Sequence, residues 1–211
     1  MRLSTGIDTI DRTLGGGLQP GSIVALLAPP EAQSLPVLCA HTGLRPTHYF
    51  TTLRTVDSVQ RQLAQQDLDP KLRRVEHVDL DDALATIDAG LEQLEDGDDV
   101  VVDVVDPLER TASMAAYLDL LNALSRRLAE TGGVGMLHCL ESGREAESPN
   151  RELTLSVADH VWRLEPRREG ARSLTYYLEI PKANGLPLDE NDRVQELDVG
   201  SSVQVDRTRD Y

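Results

Sequence analysis

The stretch Ser22-Ile-Val-Ala-Leu-Leu27, continuing into Ala28, Pro29, Pro30, Glu31, Ala32, Gln33, Ser34 and Leu35, decides the reading of this chain. A short apolar run bounded by turn residues reads as a buried strand. Residues 28–35 stand where such a strand hands over to a phosphate-binding loop. A working loop of that kind, G-x-x-x-x-G-K-S/T, uses glycines so that backbone N–H groups close around phosphates, a Lys for the β/γ charge and a hydroxyl for Mg²⁺. Here Glu31 and Gln33 stand where loop glycines would, Ser34 takes the place of the Lys, and Leu35 that of the hydroxyl. The frame of a nucleotide site is kept and its chemistry is missing.

Outward from this stretch, strand and helix signals alternate. Ile7, Ile10 and Leu14 recur at helical spacing, and Gly15-Gly16-Gly17 stops that helix. Gln19-Pro20-Gly21-Ser22 turns the chain into the first strand. Pro36 opens a short helix through about Gly43, since its missing N–H is not needed in a first turn, and Thr47 to Leu53 reads as a second strand. Val56, Val59 and Leu63, then Leu84, Ile87, Leu91 and Leu94, predict helices over 56–66 and 81–95, on either side of a strand at 74–78. The β-branched run Val100 to Val105 reads as a central strand covered on both faces. A helix over 113–130, stopped by Gly132-Gly133, and a strand over 134–140 complete the alternation, which argues for a parallel sheet. In the last third, 161–164, 173–180, 193–197 and 202–205 read as strands joined by charged or Gly/Pro turns, an antiparallel extension of that sheet. The expectation is one α/β domain over the 211 residues, with an acidic tail from Asp189 onward, through Asp206 to Asp210, that is salt-solvated and disordered at its end.

The net charge of −15 is carried with 19 arginines but only two lysines, Lys71 and Lys182. This pair of biases suggests a halophilic, archaeal-looking source, in which acidic surfaces hold hydration at molar salt. An acidic surface repels a phosphate backbone, so general nucleic-acid binding is disfavoured. Arg73-Arg74, Arg126-Arg127 and Arg167-Arg168 with Arg172 are candidates for a local basic patch, but read better as solvated surface. The apolar stretches are too short to cross a bilayer and the N-terminus lacks a secretory signal, so a cytoplasmic location is expected. Cys39 and Cys139 lie in apolar segments and read as buried thiols rather than a disulfide.

Several segments, in order and over nearly the whole chain, resemble the RecA-like ATPases of the KaiC and RadA type. They are Ser4-Thr-Gly-Ile-Asp8 followed by Leu14-Gly-Gly-Gly-Leu18 and Pro20-Gly21-Ser22, the Walker B-like Val100-Val-Val-Asp103, the run Ala158-Asp159-His-Val161-x-x-Leu164, and Leu178-x-Ile-x-Lys182-x-x-Gly185. The resemblance implies a RecA-like three-layer fold, a largely parallel sheet flanked by helices. It makes Asp103 the match of the Mg²⁺-linked acid and Lys182 the match of a basic residue that reaches a neighbouring subunit's nucleotide. The family's water-polarising acid has no occupant, since Leu53-Arg54 lies there, and the Arg two positions after Lys182 is Asn184. Function does not follow fold automatically. Asp103 therefore reads as a strand end needing a solvated or capping group, and Lys182 as a surface or interface salt-bridge partner.

Removing one electrostatic stabiliser of a charged transition state costs roughly 3 to 4 kcal/mol, so losing the Lys, the hydroxyl and the acid together leaves no useful hydrolysis. No catalytic residue, metal or resident cofactor is expected, with ATP and Mg²⁺ at Asp103 and Lys182 as the weaker reading. Cys39, His41, His138 and Cys139 have soft-metal chemistry, but adjacent strand residues point to opposite faces and the set converges poorly. His48, His77 and His160 read as ordinary loop or strand residues, and Glu141-Ser142-Gly143 is not a nucleophile elbow. The sequence thus points to an inactive domain that regulates or scaffolds through a protein partner, for which an active relative is a candidate, as a monomer or dimer rather than a hexamer. The alternatives are an accessory protein of DNA recombination, similar to the RadA paralogues, and an atypical ATP binder.

Overall fold

The computed structural model describes residues 1–66, 69–141, 148–169, 173–189, 192–199 and 203–204. At its centre is β1 (Ile23–Ala28), buried at every position. It pairs parallel with β5 (Gly135–Leu140) on one side and with β6 (His160–Glu169) on the other. Beyond β5, the strands β4 (Asp99–Asp103), β2 (Thr47–Thr51) and β3 (Leu72–His77) continue the parallel pairing to one edge. Toward the other edge β7 (Ser173–Ala183), β8 (Val194–Val199) and the short β9 (Val203–Gln204) are antiparallel, giving the order β3-β2-β4-β5-β1-β6-β7-β8-β9. The fold is α/β, with a mostly parallel mixed sheet extended by antiparallel C-terminal strands.

Alternation along the strands divides the core in two, because successive side chains point to opposite faces. Val24, Leu26, Tyr49, Val101, Met136 and Trp162 pack with α1 (Asp8–Thr13), α2 (Leu35–Thr42) and α3 (Val56–Ala64). Ala25, Leu27, Phe50, Val102, Leu137 and Cys139 pack with α4 (Ala83–Leu91), α5 (Asp106–Thr111), α6 (Met114–Thr131) and α7 (Arg151–Val157). Full burial of each large apolar side chain contributes roughly 1.5 to 3 kcal/mol. On the second face Gly90 lets α4 lie close to the sheet, since a Cβ there would stand 2.4 Å from Phe50 Cζ.

Local chemistry sets the ends of these elements. The Thr55 and Ser113 hydroxyls accept the N–H of Ser58 and Ala116 and cap α3 and α6, and Gly132 ends α6 in the left-handed conformation. At α1 the N-cap position is Ile7, without a side-chain cap; Asp11 instead accepts the Thr5 N–H at 2.7 Å and the Ser4 hydroxyl. Gly6, at φ +83°, brings this segment against α2, where a Cβ would meet the Ala40 carbonyl at 2.3 Å. The N-terminal segment thereby braces the helix that comes after the β1 loop.

Three expectations are corrected. The strand foreseen through Val105 ends at Asp103, because Asp106-Pro107 opens α5. The helices α5 and α7 were not foreseen. Strand β6 runs five residues past Leu164, since beyond Arg163 only β7 pairs with it and polar residues are tolerated on such an arm. The acidic tail after Gln204, Ser142-Gly143 and Arg172 lie outside the described residues.

Candidate functional site

The loop after β1 closes on itself. The Ala32 N–H donates to the Pro29 carbonyl at 2.8 Å and the Ser34 N–H to the Ala32 carbonyl at 3.0 Å. Pro29, Pro30 and Pro36 have no N–H to offer. A phosphate cradle needs successive N–H groups turned to a common centre, and here most are absent or engaged within the loop. Glu31 and Gln33 are exposed and Ser34 is buried at the start of α2 with no side-chain capping bond. Leu35 opens α2 and packs against the core.

Asp103, at the end of β4, is 3% exposed, which corrects the solvated alternative in its reading as a solvated or capping group. Strands β2 and β5 flank it in register, Thr51 and His138 being its Cα partners. Tyr49, on β2, donates its hydroxyl to Asp103 Oδ2 at 2.7 Å. His138 Nδ1 lies 2.6 Å from Asp103 Oδ1, and because an ionised carboxylate only accepts, this nitrogen carries the hydrogen. Arg54 adds a half-exposed guanidinium 3.8 Å from Oδ2. Burial works to raise the Asp103 pKa, but the bonds from His138 and Tyr49 and the charge of Arg54 outweigh it and hold the carboxyl below its ordinary value. Burial, then the neighbouring Asp103 charge, push the Tyr49 phenol well up, so it remains a donor. The carboxylate is a locked buried acceptor.

Among the described residues of this chain Lys182 is in no ion pair, and its contacts are to backbone. Its ammonium donates to the Leu155 carbonyl at 2.9 Å and the Ser156 carbonyl at 3.1 Å, closing the last turn of α7. A cation at a helix C-terminus also meets the negative end of the helix dipole, which accounts for a basic residue here without a nucleotide. The residues matched to a Mg²⁺–nucleotide site therefore do not fit that group: most loop donors are absent or engaged, the hydroxyl position is Leu35, the carboxylate is held by Tyr49 and His138, and the lysine caps a helix.

Two polar clusters escaped the sequence reading. Behind the loop, Arg151 on α7 grips both Glu109 oxygens at 3.0 and 2.9 Å, Asp106 Oδ1 at 2.8 Å and the Leu140 carbonyl at 3.2 Å. Thr154 donates to Glu109, and Asn150 donates to the Glu109 and Ala112 carbonyls at 2.9 and 3.0 Å. All of these side chains are buried, and together they tie α5 to α7. Asp106-Pro107 as a helix start was the available signal. At the opposite end of the sheet, Asp99 meets Arg45 at 2.8 Å and His41 at 3.3 Å, and Asp98 meets Arg73 at 2.9 Å and His48 at 3.3 Å.

The soft-metal set is dispersed. Cys39 lies in the core of one face and Cys139 in that of the other, while His41 faces Asp99 and His138 faces Asp103. Burial pushes the Cys39 thiol up to about 12 and the Cys139 thiol higher still, leaving both unreactive. Of the arginines foreseen as solvated surface, Arg73 pairs with Glu95, Arg74 with Glu76, Arg127 with Glu130, and Arg167 with Glu165 and the Tyr177 ring, while Arg126 and Arg168 are exposed. Among the described residues no helix is long and apolar enough to cross a membrane. No curated protein matches the chain. Over residues 2–211 it matches the model described as "Family of unknown function (DUF7125)", and to that family it belongs.

Proposed function

We propose that this chain is a catalytically inactive domain of the RecA/KaiC type, with that family's three-layer arrangement, which regulates or scaffolds through contacts with another protein. The fold-level part of the reading is supported by a buried β1 leading through the loop into α2, by Asp103 at the end of β4, and by parallel strands in the order β3-β2-β4-β5-β1-β6. The observation that carries the loss of chemistry is the Asp103 carboxylate, with one oxygen held by Tyr49 and the other by His138. A metal competing for it would have to break buried charge-assisted bonds without phosphates or a loop hydroxyl to complete its shell. Nucleic acid is a poor partner for a −15 chain in which four of the candidate arginines, Arg73, Arg74, Arg127 and Arg167, are paired with acids.

Calorimetric titration of the full chain with Mg²⁺ and ATP at high KCl tests this reading, with Asp103→Ala alongside. The expected result is no binding at millimolar ATP for either protein. Tight binding that Asp103→Ala removes would overturn the reading and return the chain to the nucleotide binders.

A further inference from the structure

Around the start of β4 the buried aspartates Asp98 and Asp99 each stand between an arginine and a histidine, and in each case both side chains converge on a single carboxylate oxygen. Asp99 Oδ1 accepts the Val134 N–H at 2.8 Å, which leaves Oδ2 to the side chains. Arg45 Nε donates to that Oδ2 at 2.8 Å, while His41 Nε2 stands 3.3 Å from it. Neither ring nitrogen of His41 makes a hydrogen bond among the described residues. Asp98 repeats the arrangement, with Arg73 Nε 2.9 Å and His48 Nε2 3.3 Å from its Oδ2.

The three groups at Asp99 differ in their access to water. The side chains of Asp99 and His41 are 0% exposed, and that of Arg45 is 16% exposed. One guanidinium already balances the one carboxylate. A proton on His41 adds a second positive charge in a fully buried place, and an uncompensated buried charge is strongly destabilising. The charge is balanced again when Arg45, the member with a route to solvent, leaves Oδ2 to the imidazolium. The charged groups that face His41 are Asp99 on β4 and Arg45 in the turn after α2; Lys71, ahead of β3, is turned to the Leu44 carbonyl at 3.0 Å. Burial, opposed by the Asp99 charge and aided by that of Arg45, lowers the pKa of this ring, so the neutral imidazole belongs to the closed arrangement.

We propose that Asp99 is the centre of a cation-exchange switch: when His41 takes up a proton, its imidazolium displaces the Arg45 guanidinium from Asp99 Oδ2 while the chain stays folded. Arg45 also donates from Nη1 to the Ser4 carbonyl at 3.1 Å. Its departure therefore loosens the tie between β4 and the N-terminal segment, the segment that Gly6 brings against α2. At Asp98 the outcome differs, because Arg73 keeps a second acid, Glu95, at 3.1 Å. The switch thus acts through His41 rather than His48.

The test is an NMR titration of the ¹⁵N-labelled full chain from pH 8 to pH 5 at fixed KCl, with the His41 ring and the Arg45 Nε–H assigned by through-bond correlation to their own backbone. The Arg45 Nε–H signal should be lost to exchange with water at the midpoint at which His41 charges, and the backbone amides of residues 3–5 should exchange faster below that midpoint. Arg45→Met, which removes the competitor for Oδ2, should raise the His41 midpoint by about one pH unit, whereas Arg73→Met should leave it in place. An Arg45 Nε–H signal that persists through the His41 midpoint would overturn the proposal, and this reading is made on the unaltered chain. So would an unshifted His41 midpoint in a folded Arg45→Met. Unfolding of the whole chain before His41 charges would overturn it as well, since the exchange would then have no folded state in which to occur.

Discussion

Strand β4 begins and ends on buried aspartates, and the two ends are held in opposite ways. At its start Asp99 meets the Arg45 guanidinium and the Val134 N–H, while Asp98 meets the Arg73 guanidinium and the Glu95 N–H. At its end Asp103 meets a phenol and an imidazole, and its one guanidinium stands off at 3.8 Å. The amino end of the sheet is closed by permanent cations reaching in from neighbouring loops and strands. At the carboxyl end the two donors that hold Asp103 carry no obligatory charge, at the place where open α/β sheets ordinarily present their ligand sites, and the permanent cation there, Arg151, serves Asp106 and Glu109 instead. Charge pairing thus holds the aspartates at the start of the strand, and hydrogen bonds from neutral donors hold the one at its end.

The largest effect that would sharpen this contrast is expected at Asp99. Asp99→Ala leaves the Arg45 charge and the Val134 N–H without their partner, and removing one member of a buried ion pair costs about 3 to 5 kcal/mol. Asp103→Asn keeps the side chain's size and an oxygen for the Tyr49 hydroxyl, so its expected loss is that of a buried hydrogen bond to a charged group, about 1.5 to 3 kcal/mol. Chemical denaturation of both variants at one KCl concentration checks the order. Equal losses would break the comparison and make Asp103 as structural as Asp99.

Acid sensitivity should fall on the same side. Burial, the largest influence in each case, lowers the pKa of His41, His48 and His160 from the ordinary 6.5. The unfolded chain takes up these protons near pH 6.5 while the folded chain resists them, so stability is full above about pH 6.5 and declines as the pH falls below it. Asp103 is also lowered, from 3.8, and its contribution is lost only in more acidic solution. Thermal midpoints from pH 8 to pH 5 at fixed KCl should therefore decrease, and His41→Asn, removing the imidazole beside Asp99, should flatten the curve. A midpoint that rises on acidification would contradict the burial of these imidazoles.

The same contrast explains what the sequence made legible. The parallel sheet could be read because each strand is a dense β-branched or apolar run between Gly/Pro turns, and Val100 to Asp103 was recognisable as one of them. Local patterning also placed α1, α2, α3, α4 and α6. It could not place α7, a seven-residue helix whose buried residues include Arg151 and Thr154, because polar residues on the inward face erase the apolar stripe on which such readings depend. The site obeyed the same rule. That Ser34 and Leu35 stand where a phosphate loop would need a Lys and a hydroxyl was visible by spacing, whereas the locking of Asp103 was not: Tyr49 and His138 lie 54 and 35 positions away and meet it only through strand register. Lys182 matched a motif, but its partners are backbone carbonyls, which no side-chain pattern announces.

The smallest expected effect is at Arg54. It lies in the segment where the sequence reading looked for an acid, and among the described residues it is the guanidinium that approaches Asp103. Its side chain is 41% exposed and its nearest nitrogen is beyond hydrogen-bond distance of the carboxylate, so the pair is close to a surface ion pair, with a typical contribution of about 0 to 1 kcal/mol that salt reduces further. Arg54→Ala should therefore lower stability by less than about 1 kcal/mol, and the difference should shrink between low and high KCl. Denaturation midpoints at the two salt concentrations measure it directly. A loss near the roughly 3 to 5 kcal/mol expected of a broken buried pair, unchanged by salt, would mean that the guanidinium balances Asp103 from within the fold. The carboxyl end of β4 would then be a second charge-closed end, and the contrast with Asp99 would disappear.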